Sequence, residues 1–155
     1  MLNAIAKIML DGTQIPVTDP RTDHSAVLFE DGTMVYAHSI GQGPEHDADE
    51  NADDEPFDSQ QDAEAGVPKF HLLGFDDWKL ATIQDYERYV INRGFYNPAV
   101  DPNLFPNVKP EWHWSSTPAA WSSASAWFVF FSYGNVGSVR RGSSGFALAV
   151  RRAGQ

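Results

Sequence analysis

Cysteine is absent from all 155 residues. Disulfide frameworks, thiolate metal sites and thiol nucleophiles are therefore excluded together. The chain suits a reducing compartment without requiring one. Long hydrophobic runs are also missing, so no segment reaches the length of a membrane span and no membrane contact is expected. The opening MLNAIAKIMLDGTQ is apolar only in short pieces around Lys7 and Asp11 and lacks a secretory pattern. Export by a signal peptide is not expected.

Basic residues are scarce. Eleven Lys and Arg stand against 21 Asp and Glu, giving a net charge of −10. The imbalance is local. Between Gly41 and Gly66 lie ten acids (Glu45, Asp47, Asp49, Glu50, Asp53, Asp54, Glu55, Asp58, Asp62 and Glu64) and no Lys or Arg. The rest of the chain is formally neutral. A broad basic face is thus disfavoured, and direct nucleic-acid binding through clustered phosphate contacts is not expected.

Catalytic spacings are lacking as well. His24, His38, His46, His71 and His113 are scattered with no H-x-x-x-H or H-E-x-x-H pattern. The carboxylates concentrate in the acidic segment, away from apolar surroundings that raise a carboxyl pKa. No catalytic residue is assigned and no enzyme is expected. Asp47, Asp49 and Asn51 alternate like the start of an EF-hand loop, but Ala52 occupies the glycine position and Asp58 the final glutamate position. No cofactor is expected, and calcium is the one ion this pattern leaves open.

What is present suits one domain with a real core, since 42% of the residues are hydrophobic. Residues 1–40 read as strands and a hairpin packed on that domain. The hairpin is SAVLFEDGTMVYAHS, in which Ala26 to Phe29 face Met34 to Tyr36 across Asp31-Gly32. Residues 41–55 read as a flexible acidic loop. PFDSQQDAEAG predicts a short helix with Pro56 in its first turn and Gly66 just past its end. LATIQDYERYVINRG predicts a second, capped by Thr82 with Asp85 three residues on and ended by Gly94. The four-proline stretch NPAVDPNLFPNVKP predicts an ordered loop pinned by Leu104 and Phe105. AWFVFFSYGNVGSVRR and SGFALAVRR predict the closing strands.

The blocks GFDDWKLATIQDY, NPAVDPNLFP, WHWSSTP, AWFVFFSYGNVG and FALAVRR follow in that order. Gly74, Asp77, Trp78, Leu80 and Thr82 belong to the first, and Asn97, Pro98, Asp101, Phe105 and Pro106 to the second. Trp114 to Thr117 make the third, Ala126, Trp127, Val129, Phe131 and Gly134 the fourth, and Ala149 to Arg151 the last. Together they resemble the C-terminal domain of Legionella collagen-like adhesins, over about Phe57 to Arg152. Ala81 stands where that family usually has proline, and Tyr86 where it usually has leucine; both departures are structural. The resemblance implies an α+β, C-type-lectin-like fold with small mixed β-sheets, one or two helices and long loops. It is a fold shared with formylglycine-generating enzymes, whose chemistry needs the cysteines missing here, and with retroelement variable proteins.

Domains of that kind bind ligands, and the resemblance implies a glycan or protein ligand held between the W-S-S block and the final strand. The exposed candidates are Trp121, Ser122, Ser123, Tyr133, Asn135, Arg140, Arg141, Ser143 and Ser144. Four of the five tryptophans fall between residues 110 and 131. Trp78, Trp114 and Trp127, with apolar neighbours, read as core. Trp112 and Trp121, in Pro/Ser/Ala surroundings, are open to core or contact. The expected location is a bacterial cytoplasm or a virion. An alternative is a phage or prophage inhibitor of a bacterial defence system. It would bind a basic partner groove through Glu45, Asp47, Asp49, Glu50, Asp53, Asp54 and Glu55, with imitation of nucleic-acid charge as one form of that contact.

Overall fold

The sequence around Asp31-Gly32 folds as expected. Strands β3 (Ala26–Phe29) and β4 (Thr33–Tyr36) pair antiparallel with Val27 opposite Val35. Gly32 takes φ +88°, where a side chain would be strained, and the Asp31 carboxylate accepts the Thr33 N–H at 3.0 Å. The computed structural model describes residues 3–41 and 55–152. Glu45, Asp47, Asp49, Glu50, Asp53 and Asp54 lie outside the described residues, as do Asn51 and the expected flexible loop; only Glu55 of the acidic candidates is described, and it is exposed.

Before the hairpin come β1 (Ala4–Ile8) and β2 (Gln14–Ile15). After the acidic segment come α1 (Gln60–Gly66), β5 (Lys79–Leu80) and α2 (Ile83–Asp85). The chain then forms β6 (Trp112–Ala119), β7 (Ser122–Phe130), β8 (Asn135–Arg140), β9 (Phe146–Ala147) and β10 (Ala149–Arg152). One sheet runs β2-β1-β3-β4-β10-β5 and the other β8-β7-β6-β9. The β6–β9 pair is parallel, so the second sheet is mixed. This is the expected α+β class with small sheets, short helices and long loops. Among the described residues no helix is long and apolar enough to cross a membrane.

Both helices begin near the predicted places and end elsewhere. In α1 the cap is Ser59, whose hydroxyl accepts the Asp62 N–H, and Pro56 lies outside. The reason is that Phe57 bridges Gly145, each N–H donating to the other's carbonyl. Gly66 is the last helical residue, not the one beyond. A Cβ there would lie 2.9 Å from the Phe57 ring. In α2 Thr82 and Asp85 form the reciprocal cap. The helix then widens into a π turn, Tyr86–Val90, and stops four residues before Gly94. Ile91 turns extended, and the next residue gives its N–H to Ala99 at 2.8 Å. The proline-rich loop is pinned as expected, with Val100 and Phe105 buried and Leu104 packed against that core.

Tyr86 joins the π turn to β6 and to the link between β9 and β10. Its hydroxyl donates to the Trp114 carbonyl at 2.8 Å and accepts the Leu148 N–H at 3.2 Å, with the ring fully buried. Tyr86→Phe strands one buried acceptor and one buried donor, so a loss of about 2 kcal/mol of unfolding free energy is expected. Urea unfolding reads it. A loss under about 0.5 kcal/mol would mean those groups find other partners.

Candidate functional site

Two short alternations, Trp112-His113-Trp114 and Phe128-Val129-Phe130, decide the face that concerns binding. In a strand, alternate residues share a face. The β6–β7 register sets Trp112 opposite Phe130 and Trp114 opposite Phe128, so all four aromatics share one face. His113 and Val129, also paired, turn to the other and are fully buried. The Trp112 ring lies 4.1 Å from Phe128, centroid to centroid, and 5.2 Å from Phe130, nearly parallel to it at 25°.

Glycines make room for these rings. Gly137 of β8 pairs with Phe128, and a Cβ on it would meet that ring at 3.2 Å. Gly145 would meet the Trp114 indole at 3.0 Å. The Trp114 indole N–H donates to the Ser143 carbonyl at 2.9 Å, which fixes the turn after β8. The result is a cleft of about 340 Å³ bounded by Trp112, Trp114, Phe128, Val139, Ser143 and Ser144. Its floor is buried, while Trp112 stays 43% exposed.

Several sequence candidates meet here and others do not. Trp112 and Ser143, with Ser144, line the cleft. Trp112 begins a strand, where a Pro/Ser/Ala loop was expected. Asn135 pairs with Phe130 at one end of the β7–β8 hairpin, beside the exposed Tyr133. Trp121, Ser122 and Ser123 lie at the opposite end, where Ser125 pairs with Arg140. Trp121 is 67% exposed and stands edge-on to Trp127 at 5.6 Å. Trp127 is half-buried on the Val129 side of the sheet, at the margin of the core, so its expected place as a core pillar is corrected. Trp78 and Trp114 are core as expected.

The adjacent arginines part company. Arg141 donates to the Gln60 amide oxygen at 3.0 Å, and Gln60 in turn reaches the Ser115 carbonyl and the Glu64 carboxylate. Arg141 thereby ties the turn after β8 to α1 and β6. Arg140 is exposed. Among the described residues no three or more His, Asp or Glu gather as a cation site.

A hydroxyl–imidazole pair does exist: Ser39 Oγ lies 2.7 Å from His113 Nε2, and His113 Nδ1 lies 2.9 Å from the Glu111 carbonyl. Ser39 is 3% exposed and His113 is not exposed at all, and burial pushes the imidazole pKa down to about 4. The pair acts as an internal strut.

Sequence reasoning missed Phe128, Phe130, Val139 and Gly145. The signal for the first two was the F-V-F alternation answering W-H-W. It also missed the exposed Phe95 and Tyr96, which precede Asn97, the residue whose N–H donates to the Ser132 carbonyl at 2.7 Å. Finally, both borders of the acidic segment are anchored on one stretch: Ile40 pairs with Ala147, and Phe57 with Gly145 beside the cleft.

Compared with known proteins, residues 42–151 match the family model described as the Lcl C-terminal domain. No curated protein matches the chain.

Proposed function

Because the chain belongs to the Lcl C-terminal domain family, we propose that it is a non-catalytic, adhesin-type binding protein whose working face is the aromatic cleft of the β6–β7–β8 sheet, with a glycan or protein as ligand. The observation carrying this reading is Trp112, held exposed against two phenylalanines on a regular strand. An indole backed in this way loses little freedom when a ligand stacks on it, so its contact energy goes to binding. The Ser/Trp-rich loop at the Trp121 end is a separate surface on the other face.

Surface capture on a glycan array and from cell lysate tests the assignment. Trp112→Ala is expected to weaken the captured ligand at least about tenfold, as loss of an aromatic anchor does. Trp121→Ala is expected to change it less than about twofold. Retained affinity in Trp112→Ala, or loss only in Trp121→Ala, would move the binding face to the other side of the sheet.

One observation favours a second reading, an inhibitor that engages a basic partner inside a bacterium. The acidic segment is bordered in sequence by two anchors, Ile40 on Ala147 and Phe57 on Gly145. Deleting residues 44–54 spares both anchors. On this reading the deletion abolishes partner capture, and capture by the intact chain falls steeply as salt rises. Capture that survives the deletion rules it out.

A further inference from the structure

We infer that the cleft takes an uncharged pyranose, stacked by its C–H face on Trp112, in preference to an anionic sugar. The inference rests on the cleft being the binding face. Its first support is the shape of the floor. The Trp112 ring is stacked on Phe130 at 5.2 Å and 25° and packed on Phe128 at 4.1 Å and 41°, so the indole is backed by two rings and offers a flat platform, not one wall of a cage. A flat indole presents a negative π face, which attracts the slightly positive C–H bonds of a sugar's apolar side. A compact cation wants several ring faces around it instead.

The second support is the chemistry of the lining. Among the described residues the only ionisable one lining the cleft is His113, and its side chain turns to the other side of the sheet, where both ring nitrogens are bonded. A charged ligand would be stripped of water there with no counter-charge to meet it. What the rim does offer is the hydroxyls of Ser143 and Ser144, neither of which has a partner among the described residues. Hydroxyls that both donate and accept suit the polar edge of a sugar ring. A volume of about 340 Å³ lies at the small end for ligand clefts, which start at roughly 300 Å³, and suits a single ring.

The third support is the sign of the surrounding field. The chain carries −10 overall, and Glu45, Asp47, Asp49, Glu50, Asp53 and Asp54 lie in sequence between the anchors Ile40 and Phe57, the latter paired to Gly145 at the cleft wall. A net charge of −10 opposes the approach of sulfated and carboxylated sugars and leaves neutral ones unaffected.

The test is an NMR titration of the full chain, following the Trp112 and Trp114 indole N–H signals and the Gly145 amide, the last two of which remain in the Trp112 variant. The probes are methyl glucoside, methyl galactoside and methyl N-acetylglucosaminide, then glucuronate, O-sulfated N-acetylglucosamine and a hexalysine peptide. At least one neutral glycoside is expected to move the Trp112 signal saturably, with little dependence on salt, and the anionic sugars to bind at least about tenfold more weakly. Trp112→Ala should abolish the binding. Gly137→Ala, which keeps Trp112 but crowds the Phe128 ring, should weaken it severalfold. No response to any neutral glycoside overturns the inference, as does equal or tighter binding of an anionic sugar, or salt-sensitive occupation by hexalysine alone. If the glycosides fail while a protein ligand is still lost with Trp112→Ala, the pyranose falls and the cleft stands. If every ligand is indifferent to Trp112, both fall.

Discussion

Replacing Lys7 by methionine is expected to cost about 3 kcal/mol of unfolding free energy, although methionine matches the length and bulk of the lysine stem. Lys7 sits in β1 with no exposed surface. Its ammonium donates to the carbonyls of Asp19 and Arg21 at 2.6 and 2.5 Å and to the Asn103 side-chain oxygen at 2.8 Å. Asn103 passes the link on, its amide donating to the Val17 carbonyl at 2.9 Å. One amine therefore ties the first strand, the loop after β2 and the proline-rich loop together. Burial lowers the lysine pKa, and the nearby carboxylates of Asp19 and Asp101 work against that fall.

Exchanging an ion for an apolar residue is often harmless where both partners of a pair are replaced. Here two of the three acceptors are backbone carbonyls, which no side-chain change removes. Lys7→Met leaves them short of a donor, and a stranded acceptor costs about 1–3 kcal/mol. Urea unfolding gives the total, and hydrogen exchange localises it. Exchange should quicken first in residues 16–24 and 101–105, ahead of β6 and β7. A loss below about 1 kcal/mol, or uniform exchange, would show that water reaches those carbonyls and that the ammonium is not their keystone.

Lys7 also shows where the sequence was legible and where it was not. A lysine in an apolar stretch reads as an interruption, because the acceptors that bury it come 12, 14 and 96 residues later. Features set by neighbours in the chain were readable: Gly32 in its turn, and the reciprocal cap of Thr82 and Asp85. Features set by distant packing were not. Gly66 looks like a helix stop until the Phe57 ring is seen against it, and Gly137 looks like turn punctuation until Phe128 lies over it. The π turn depends on residue 92 pairing with Ala99, which no helical period announces.

The tryptophans divide for the same reason. Which face each takes depends on the β6–β7 register, and that register shifts between Trp114 and Pro118. Trp127 has apolar neighbours in sequence but lies where its face of the sheet runs past the core, beside Ser138. Trp112 has polar neighbours in sequence, and its apolar partners Phe128 and Phe130 come from the next strand. Family motifs located the segment. Only pairing separated platform from pillar.

Stability is expected to fall by about 3 kcal/mol between pH 6.5 and 4 through His113 alone. The geometry fixes its tautomer. The Glu111 carbonyl only accepts, so Nδ1 carries the proton and Nε2 receives the Ser39 hydroxyl hydrogen, while Ser39 Oγ accepts the Lys109 N–H at 2.9 Å. A second proton would charge a ring with no exposed surface, so burial holds the folded pKa at about 4 against 6.5 for a free imidazole.

As pH falls through 6.5 the unfolded chain takes up a proton that the folded chain refuses, so stability drops until about pH 4 and this contribution then levels off. His24, also buried and also lowered, acts in the same direction. Carboxylates act lower down: the Arg21 guanidinium and N–H hold Asp19 to about 2, so its proton uptake belongs to more acid solution. Urea midpoints from pH 7 to 4 in wild type and His113→Gln separate these effects. The variant is expected to be weaker at pH 7 and markedly flatter toward acid, converging on wild type near pH 4. Parallel curves for the two proteins would place the acid sensitivity in His24 and remove His113 from the account.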